Sequence, residues 1–401
     1  MPAPHRASPI GWCPNRDLTA RRGSRHIDQR VNGDPKVTSV RAGISKATTT
    51  TRWAPTPTGL SDAGARRAGA AATRATLWQT LRKPRATRQT GRVKRLHLPQ
   101  TTLSASNIIL GLMRISELTD DEIRTLVSTA IDEGIDFFDH ADVYGGQPHF
   151  CEKRFGDAVR FTSSEREKVK IQTKTGIVPG AFDFSKEHIL KSVDASLGAL
   201  RTDYIDVLLL HRPDALVEPE EVAAAFAELE ASGKVRNFGV SNHTPGQVEL
   251  LKKSVKQPLA FNQVQLSITH APLIAAGVAS NMAGLDQSID RDNGILDYSR
   301  LNDITLQAWS PFQKQFFNGV FLGDRENYAE LNDAIDALAA KYDVTPDAIA
   351  VAWITRHPAN FQVVLGTTKP ERVKAAAVGS DIPLTRVEWY SLFTAAGYTL
   401  P

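Results

Sequence analysis

The stretch Gly134-Ile135-Asp136-Phe137-Phe138-Asp139-His140-Ala141-Asp142-Val143-Tyr144 decides how this chain is read. A short, mainly apolar run, Ile135 to Phe138, stops at an acid, and a phenol follows five residues later where a polar, glycine-bearing segment begins. In a parallel sheet such a run is a strand buried on both faces. The carboxyl ends of parallel strands are where α/β folds gather their polar chemistry.

Outward from that strand, apolar runs and helical patterns alternate. Upstream, Leu110 to Ile115 reads as a first strand, and Thr119-Asp-Asp-Glu122 has the spacing of a capping box. It opens a helix with Ile123, Leu126, Val127, Ala130 and Ile131 on one face, closed by Gly134. Downstream come a helix over His149 to Val159, a strand over Val169 to Thr175, a helix over Ser185 to Leu200 and a strand over Ile205 to Leu210. Helix Glu220 to Ser232, strand Val235 to Val240, a helix from Thr244 and strand Ala260 to Gln265 repeat the rhythm. A long irregular stretch, Leu266 to Gly294, precedes a short helix and strand Ile304 to Trp309. Helices Glu326 to Tyr342 and Pro346 to Arg356 then lead to strand Val363 to Gly366 and a helix opened by Thr368-Lys-Pro-Glu371. Eight strands alternating with helices predict a (β/α)8 TIM barrel over residues 93–401. A doubly wound sheet competes, but no Gly-rich dinucleotide fingerprint follows the first strand.

Charge separates the two parts of the chain. Residues 1–100 hold 20 Lys plus Arg against 4 Asp plus Glu; from the totals of 48 and 44, the remainder holds 28 against 40. The net +4 is thus a basic leader added to an acidic body. Residues 1–92, rich in Arg, Thr, Ala, Pro and Ser, lack a sustained apolar period and are expected to be disordered. Such a leader fits an organellar transit peptide, a nucleic-acid-binding arm, or a non-essential extension from an upstream start codon; the last is favoured, and nucleic acid is not an expected partner of the body. Cys13 and Cys151 cannot build a disulfide framework or a zinc site, which points to a reducing, cytoplasmic setting. No apolar run approaches the roughly 18 residues of a membrane span. His149, His243 and His270 have no metal-ligand spacing, and no metal is assigned.

In a barrel the strand ends crowd one rim. That rim would hold Asp139 and Tyr144 after the second strand, Lys174 after the third and His211 after the fourth. Ser241 and Asn242, Asn262 and Gln263, Trp309 and Ser310, and Gly366 and Thr367 come from the fifth to eighth. A phenol with a pKa near 10 is a poor acid at neutral pH; an ammonium beside it stabilises the phenolate and lowers that value. Asp139 would hold the Lys174 ammonium, and His211 would orient or polarise a carbonyl. Taken singly these residues are unremarkable: Lys174 alone is a solvated charge, Trp309 a core aromatic, Ser241-Asn242 a helix cap, and Cys151, near Phe155, a small buried hydrophobe.

Together they resemble the aldo/keto reductase superfamily, and its bacterial oxidoreductase branch in particular, from about residue 93 to Pro401. The motifs are Gly134 to Gly145 with Glu152 and Gly156 behind it, Lys174, Tyr204-Ile-Asp-Val-Leu-Leu-Leu-His-Arg-Pro213, Gly233-Lys-Val-Arg-Asn-Phe-Gly-Val-Ser-Asn242, Phe261-Asn-Gln-Val264 and Gly366-Thr-Thr-Lys-Pro-Glu-Arg372. The resemblance implies a catalytic tetrad of Asp139, Tyr144, Lys174 and His211, with Tyr144 the proton donor to an aldehyde or ketone. It implies that Ser241, Asn242 and Gln263 hold the nicotinamide carboxamide and that Trp309, followed by Ser310, stacks on the ring. Gly366, Thr367, Lys369 and Arg372 would meet the adenosine-side phosphates, favouring NADPH over NADH. His140 stands where many relatives carry Thr or Ser, and is expected to reset the hydrogen bonds around Asp139. Gly366 stands where many have Lys, and Phe312 to Gly319 is bulkier than the usual cofactor-covering loop. With no long tail after the last helix, Leu266 to Gly294 becomes the main candidate for specificity. The implied protein is a monomer or weak oligomer; the competing expectation is an NADPH-binding sensor or auxiliary subunit of the same fold with negligible turnover.

Overall fold

The computed structural model describes residues 93–314 and 318–401. The reading of residues 1–92 as a disordered arm, and part of the Phe312 to Gly319 loop, fall outside them. Eight parallel strands close a barrel: β1 (Ile108–Gly111), β2 (Phe137–Asp139), β3 (Lys170–Thr175), β4 (Val207–Leu210), β5 (Phe238–Ser241), β6 (Leu259–Gln265), β7 (Thr305–Trp309) and β8 (Gln362–Leu365). Each pairs with its neighbours in sequence and β8 closes on β1, so no edge is left free. The order is the one that right-handed crossovers produce.

Around the barrel lie α1 (Asp120–Asp132), α2 (Phe150–Val159), α3 (Lys186–Leu200), α4 (Pro219–Ala231), α5 (Pro245–Lys252), α6 (Pro272–Val278), α7 (Ile295–Leu301), α8 (Ala329–Tyr342), α9 (Pro346–Thr355), α10 (Pro370–Val378) and α11 (Arg386–Ala395). The helix starts follow local chemistry. Thr119 and Glu122 form the expected reciprocal capping box, and Ser185 caps α3 through the His188 N–H at 3.3 Å. Pro245, Pro272, Pro346 and Pro370 sit in first turns, where a missing N–H costs nothing. Burial of β4 is complete, Val207 to Leu210 all being 0% exposed, which at about 1.5–3 kcal/mol per large apolar side chain makes this strand a principal contributor to the core.

Several features depart from the sequence reading, among them a fifth strand at Phe238–Ser241 rather than Val235 to Val240. The first strand is Ile108–Gly111 rather than Leu110 to Ile115; Ile115 is buried, but in the loop beyond the strand. Leu266 to Gly294 is not wholly irregular, since it contains α6 and a turn of 3-10 helix at Asp286–Ser288. An antiparallel hairpin, Arg95–His97 with Ser104–Ser106, precedes the barrel. Its Leu98 and Ala105 pack in the same cluster as Ile109, Phe137, Val207 and Ala260 from the strand starts, which makes the hairpin the floor of the barrel. Among the described residues no helix is long and apolar enough to cross a membrane.

Candidate active site

At the rim, β2 delivers Asp139 and the chain then turns tightly to present Tyr144. The turn is held by the Tyr144 N–H on the Ala141 carbonyl at 3.2 Å and by the Cys151 N–H, from the first turn of α2, on the Tyr144 carbonyl at 3.1 Å. Gly145 follows with φ +95°, and a Cβ there would meet the Phe150 ring at 2.8 Å and Cys151 Sγ at 2.9 Å. Only glycine lets the chain leave the phenol so abruptly. Cys151 is fully buried, as a small apolar side chain would be.

Lys174 is 0% exposed, and its Nζ donates to Asp139 Oδ2 at 2.7 Å, to the His140 carbonyl at 2.9 Å and to the Tyr144 hydroxyl at 2.9 Å. All three donors of the ammonium are used, which fixes both carboxylate and phenol. Burial alone would drive this lysine towards neutrality, yet the charge of Asp139 and the bonds to Asp139 and Tyr144 outweigh it, and its pKa is raised. For Tyr144 the balance goes against the sequence expectation. Lys174 does pull the phenol pKa down, but burial pushes harder the other way, and the net shift is upward. The phenol therefore holds its proton at neutral pH.

His211 follows β4, where its N–H extends the ladder to the Thr175 carbonyl at 2.9 Å. Its ring meets the Tyr144 ring edge-on, with centroids 5.8 Å apart and planes at 81°. Burial, with the charges of Lys174 and Arg212, holds His211 well below the usual imidazole range, so the ring is neutral. His140 is also buried and neutral, with a pKa of about 3, but its ring packs edge-on against Phe155 at 4.7 Å. Neither of its ring nitrogens has a partner, and it adds to the site only a carbonyl for Lys174. The expected rearrangement of hydrogen bonds around Asp139 is therefore not made by this side chain.

The remaining candidates fall into two groups. Ser241, Asn242, Gln263 and Trp309 meet at the ends of β5, β6 and β7. The Trp309 indole N–H donates to Asn242 Oδ1 at 3.1 Å, Asn242 Nδ2 to Ser241 Oγ at 2.8 Å, and Ser241 Oγ to the Gln263 carbonyl at 2.9 Å. Asn242 and Ser310 both adopt left-handed backbone, φ 60° and 55°, which turns the chain sharply at the two strand ends. The Gln263 amide nitrogen donates within the barrel to Asp139 Oδ1 and Gln307 Oε1, each at 3.0 Å. The second group, Gly366, Thr367, Lys369 and Arg372, lies where β8 passes into α10. Lys369 and Arg372 are exposed and form no ion pair among the described residues, and the Lys369 N–H caps onto Thr367 Oγ1 at 3.1 Å.

Sequence reasoning missed several residues here. Arg114, in the loop after β1, donates to the Gly366 carbonyl at 2.9 Å and so adds a cation beside that segment. Arg212 lies over the Trp309 ring, 5.8 Å from its centroid. Gln172, Gln307 and Gln362 line the barrel interior beneath Asp139, all 0% exposed. Their signal was available: Gln172 is two residues before Lys174, and Gln307 two before Trp309, so each shares the inward face of its strand.

A protein-family model described as the aldo/keto reductase family matches residues 107–392. The oxidoreductase YcsN of Bacillus subtilis is 36% identical over 313 residues, which cover 75% of this chain and 97% of that protein. A 6-dehydroglucose reductase of Agrobacterium fabrum is 32% identical over 308 residues, 73% and 95% of the two chains. Among solved structures, the thermostable aldo-keto reductase Tm1743 in complex with the inhibitor epalrestat superimposes with a TM-score of 0.60 at 25% identity, covering 75% of this chain and 99% of that one. With a family match over most of its length and relatives that align almost end to end, this chain belongs to the aldo/keto reductase family and is an oxidoreductase of that family.

Proposed function

We propose that this chain is an NADPH-dependent carbonyl reductase of small aldehydes or ketones, with Tyr144 as the proton donor. The observation that carries the reading is the chain of bonds from Asp139 through the buried Lys174 ammonium to the Tyr144 hydroxyl, with neutral His211 edge-on to the same phenol. A carbonyl oxygen placed between Tyr144 and His211 would accept a hydrogen bond from the phenol, and Lys174 would stabilise the phenolate left once the proton has gone.

The rim suits a nicotinamide dinucleotide. Gln263 Oε1 has no protein partner among the described residues, and with Ser241 and Asn242 it would take the carboxamide. Trp309, held by Asn242, would stack on the nicotinamide ring. Lys369, Arg372 and Arg114, together with the first turn of α10, would take the phosphates, and the exposed Arg372, in no ion pair among the described residues, supports preference for the 2′-phosphate of NADPH. When bound, that cofactor supplies the hydride. Tyr144 supplies the proton, Lys174 the compensating charge, and His211 the orientation of the carbonyl.

The test is NADPH oxidation by the purified protein over a panel of simple aldehydes and ketones, alongside nucleotide binding followed by tryptophan fluorescence. Turnover that disappears in Tyr144→Phe while nucleotide binding persists is the expected result. NADPH binding without turnover over the whole panel would instead favour a sensor or auxiliary subunit.

A further inference from the structure

Beneath the rim, four glutamines from four strands form one connected network. The Gln172 amide nitrogen donates to Asp139 Oδ1 at 2.6 Å and to Gln307 Oε1 at 2.9 Å, and that of Gln263 donates to the same two atoms at 3.0 Å each. Gln307 donates to Gln172 Oε1 and to Gln362 Oε1, both at 3.1 Å. Gln362 donates to the Ser106 carbonyl, in the floor hairpin, at 2.8 Å. None of the four is more than 2% exposed. Barrel interiors are ordinarily filled by branched apolar side chains, so a layer of amides needs a reason.

The orientation of every amide is forced. A backbone carbonyl only accepts, so Gln362 must turn its NH2 to Ser106 and its oxygen to Gln307. Gln307 must then present its NH2 to Gln362, with Gln172 Oε1 as the second acceptor, and its oxygen to the amide nitrogens of Gln172 and Gln263. Those two are left presenting NH2 groups upward, where the Asp139 carboxylate, also acceptor-only, receives both on Oδ1. The other carboxylate oxygen faces Lys174.

We infer that Gln307 and Gln362 are positioning residues for the reaction: an amide network anchored on the barrel floor holds two N–H donors on Asp139 Oδ1, and so fixes the carboxylate that orients Lys174 and Tyr144. The inference rests on the reductase reading for its effect on rate, but not for its geometry. Neither residue hydrogen-bonds to Asp139, Lys174 or Tyr144 among the described residues. Buried networks of this kind gain strength when complete and lose more than one bond when a member is removed.

The test compares the wild-type protein with Gln307→Met, a near-isosteric change that removes the acceptor holding both upper amides. Two readouts are followed: the pH profile of kcat for aldehyde reduction, and the side-chain NH2 resonances of protein labelled with 15N-glutamine. Expected are a kcat lowered by about 3- to 10-fold, a displaced pH profile, and shifted or lost NH2 resonances for Gln172 and Gln263. Gln362→Met, one step further from Asp139, should move the same readouts in the same direction but less, and serves if Gln307→Met does not fold. A variant that folds with a lowered melting temperature but with wild-type pH profile and unmoved Gln172 and Gln263 resonances would overturn the positioning role, leaving the amides as packing. Wild-type protein that reduces no carbonyl would overturn the reductase reading instead, and the resonances would still decide the network.

Discussion

Lys174→Met is the most informative single change, because it removes one charge while keeping an unbranched stem at a fully buried position. In the native protein the ammonium satisfies Asp139 Oδ2, the His140 carbonyl and the Tyr144 hydroxyl at once. Methionine leaves the carboxylate without its cation, a loss worth about 3–5 kcal/mol for a buried pair broken on one side, and leaves the carbonyl without a donor, worth about 1 kcal/mol. Asp139 keeps two amide donors on Oδ1, so the lower end applies. At about 2 °C per kcal/mol for a domain of this size, the melting temperature should fall by about 6–8 °C. The chemical effect should be larger than the structural one. Burial already holds the Tyr144 phenol above its ordinary pKa, and Lys174 is the group that opposes this. Without it the proton donor weakens, and kcat for aldehyde reduction should fall by about 10²–10⁴-fold. Tryptophan-monitored titration separates this from loss of nucleotide binding, which should survive because Lys174 lies beneath the phenol rather than at β8. Turnover within tenfold of wild type, in a variant that still binds nucleotide, would refute the role given to this lysine.

Three further outcomes are expected. Arg372→Ala should weaken NADPH binding by about 10- to 50-fold and leave NADH binding nearly unchanged, as read by fluorescence titration; equal losses for both nucleotides would remove the 2′-phosphate assignment. Asp142, chiefly through burial and against the hydrogen bond from Ser192 Oγ at 2.9 Å, has its pKa raised from 3.8 to about 6. The folded state thus binds that proton more tightly than the unfolded one, and this contribution to stability, present below pH 4, is lost as the pH rises to about 6, at a cost of about 3 kcal/mol. Asp142→Asn should flatten that decline, so that the gap between variant and wild-type melting temperatures changes between pH 4 and pH 7; parallel curves would exclude the group. Gly156→Ala should cost about 1–3 kcal/mol in thermal unfolding, because a Cβ there would lie 2.2 Å from the Ala199 carbonyl oxygen, where α2 crosses the end of α3. A melting temperature equal to that of wild type would contradict that contact.

Much of this was legible in the sequence, for reasons that can be located. The pair Phe137-Phe138 gives way at Asp139 to a polar, turning segment, and that switch marks a strand end. Thr119 with Glu122, and Ser185 before α3, announce helix starts through short-range hydrogen bonds. What stayed hidden depends on three-dimensional neighbours. The floor hairpin has strands of three residues, too short to show alternation. Gln172, Gln307 and Gln362 each look like a polar interruption of a buried strand, and only closure of the barrel brings them together. The direction of the Tyr144 shift could not be read from its lysine alone, since the opposing effect is depth of burial. His140 follows the acid in sequence, but strand geometry turns successive side chains to opposite faces, and its ring goes outward to Phe155.

The charge state of the rim bears on the direction in which the enzyme works. Asp139 and Lys174 cancel, His211 and His140 are neutral, and burial keeps the proton on Tyr144. On the proposed mechanism, reduction begins from that resting state, because the phenol already carries the proton that the new alkoxide requires. Oxidation of an alcohol would need the phenolate first, and at neutral pH in so buried a site that form is scarce. Of the surrounding groups, Lys174 favours the phenolate, while Asp139 and Asp142 oppose it. The residues are therefore arranged so that giving up the proton is easy only when a neighbouring atom is becoming an oxyanion. On the proposed mechanism, reduction starts from the protonated phenol and alcohol oxidation from the phenolate, so the rate of oxidation should rise as the solution becomes alkaline.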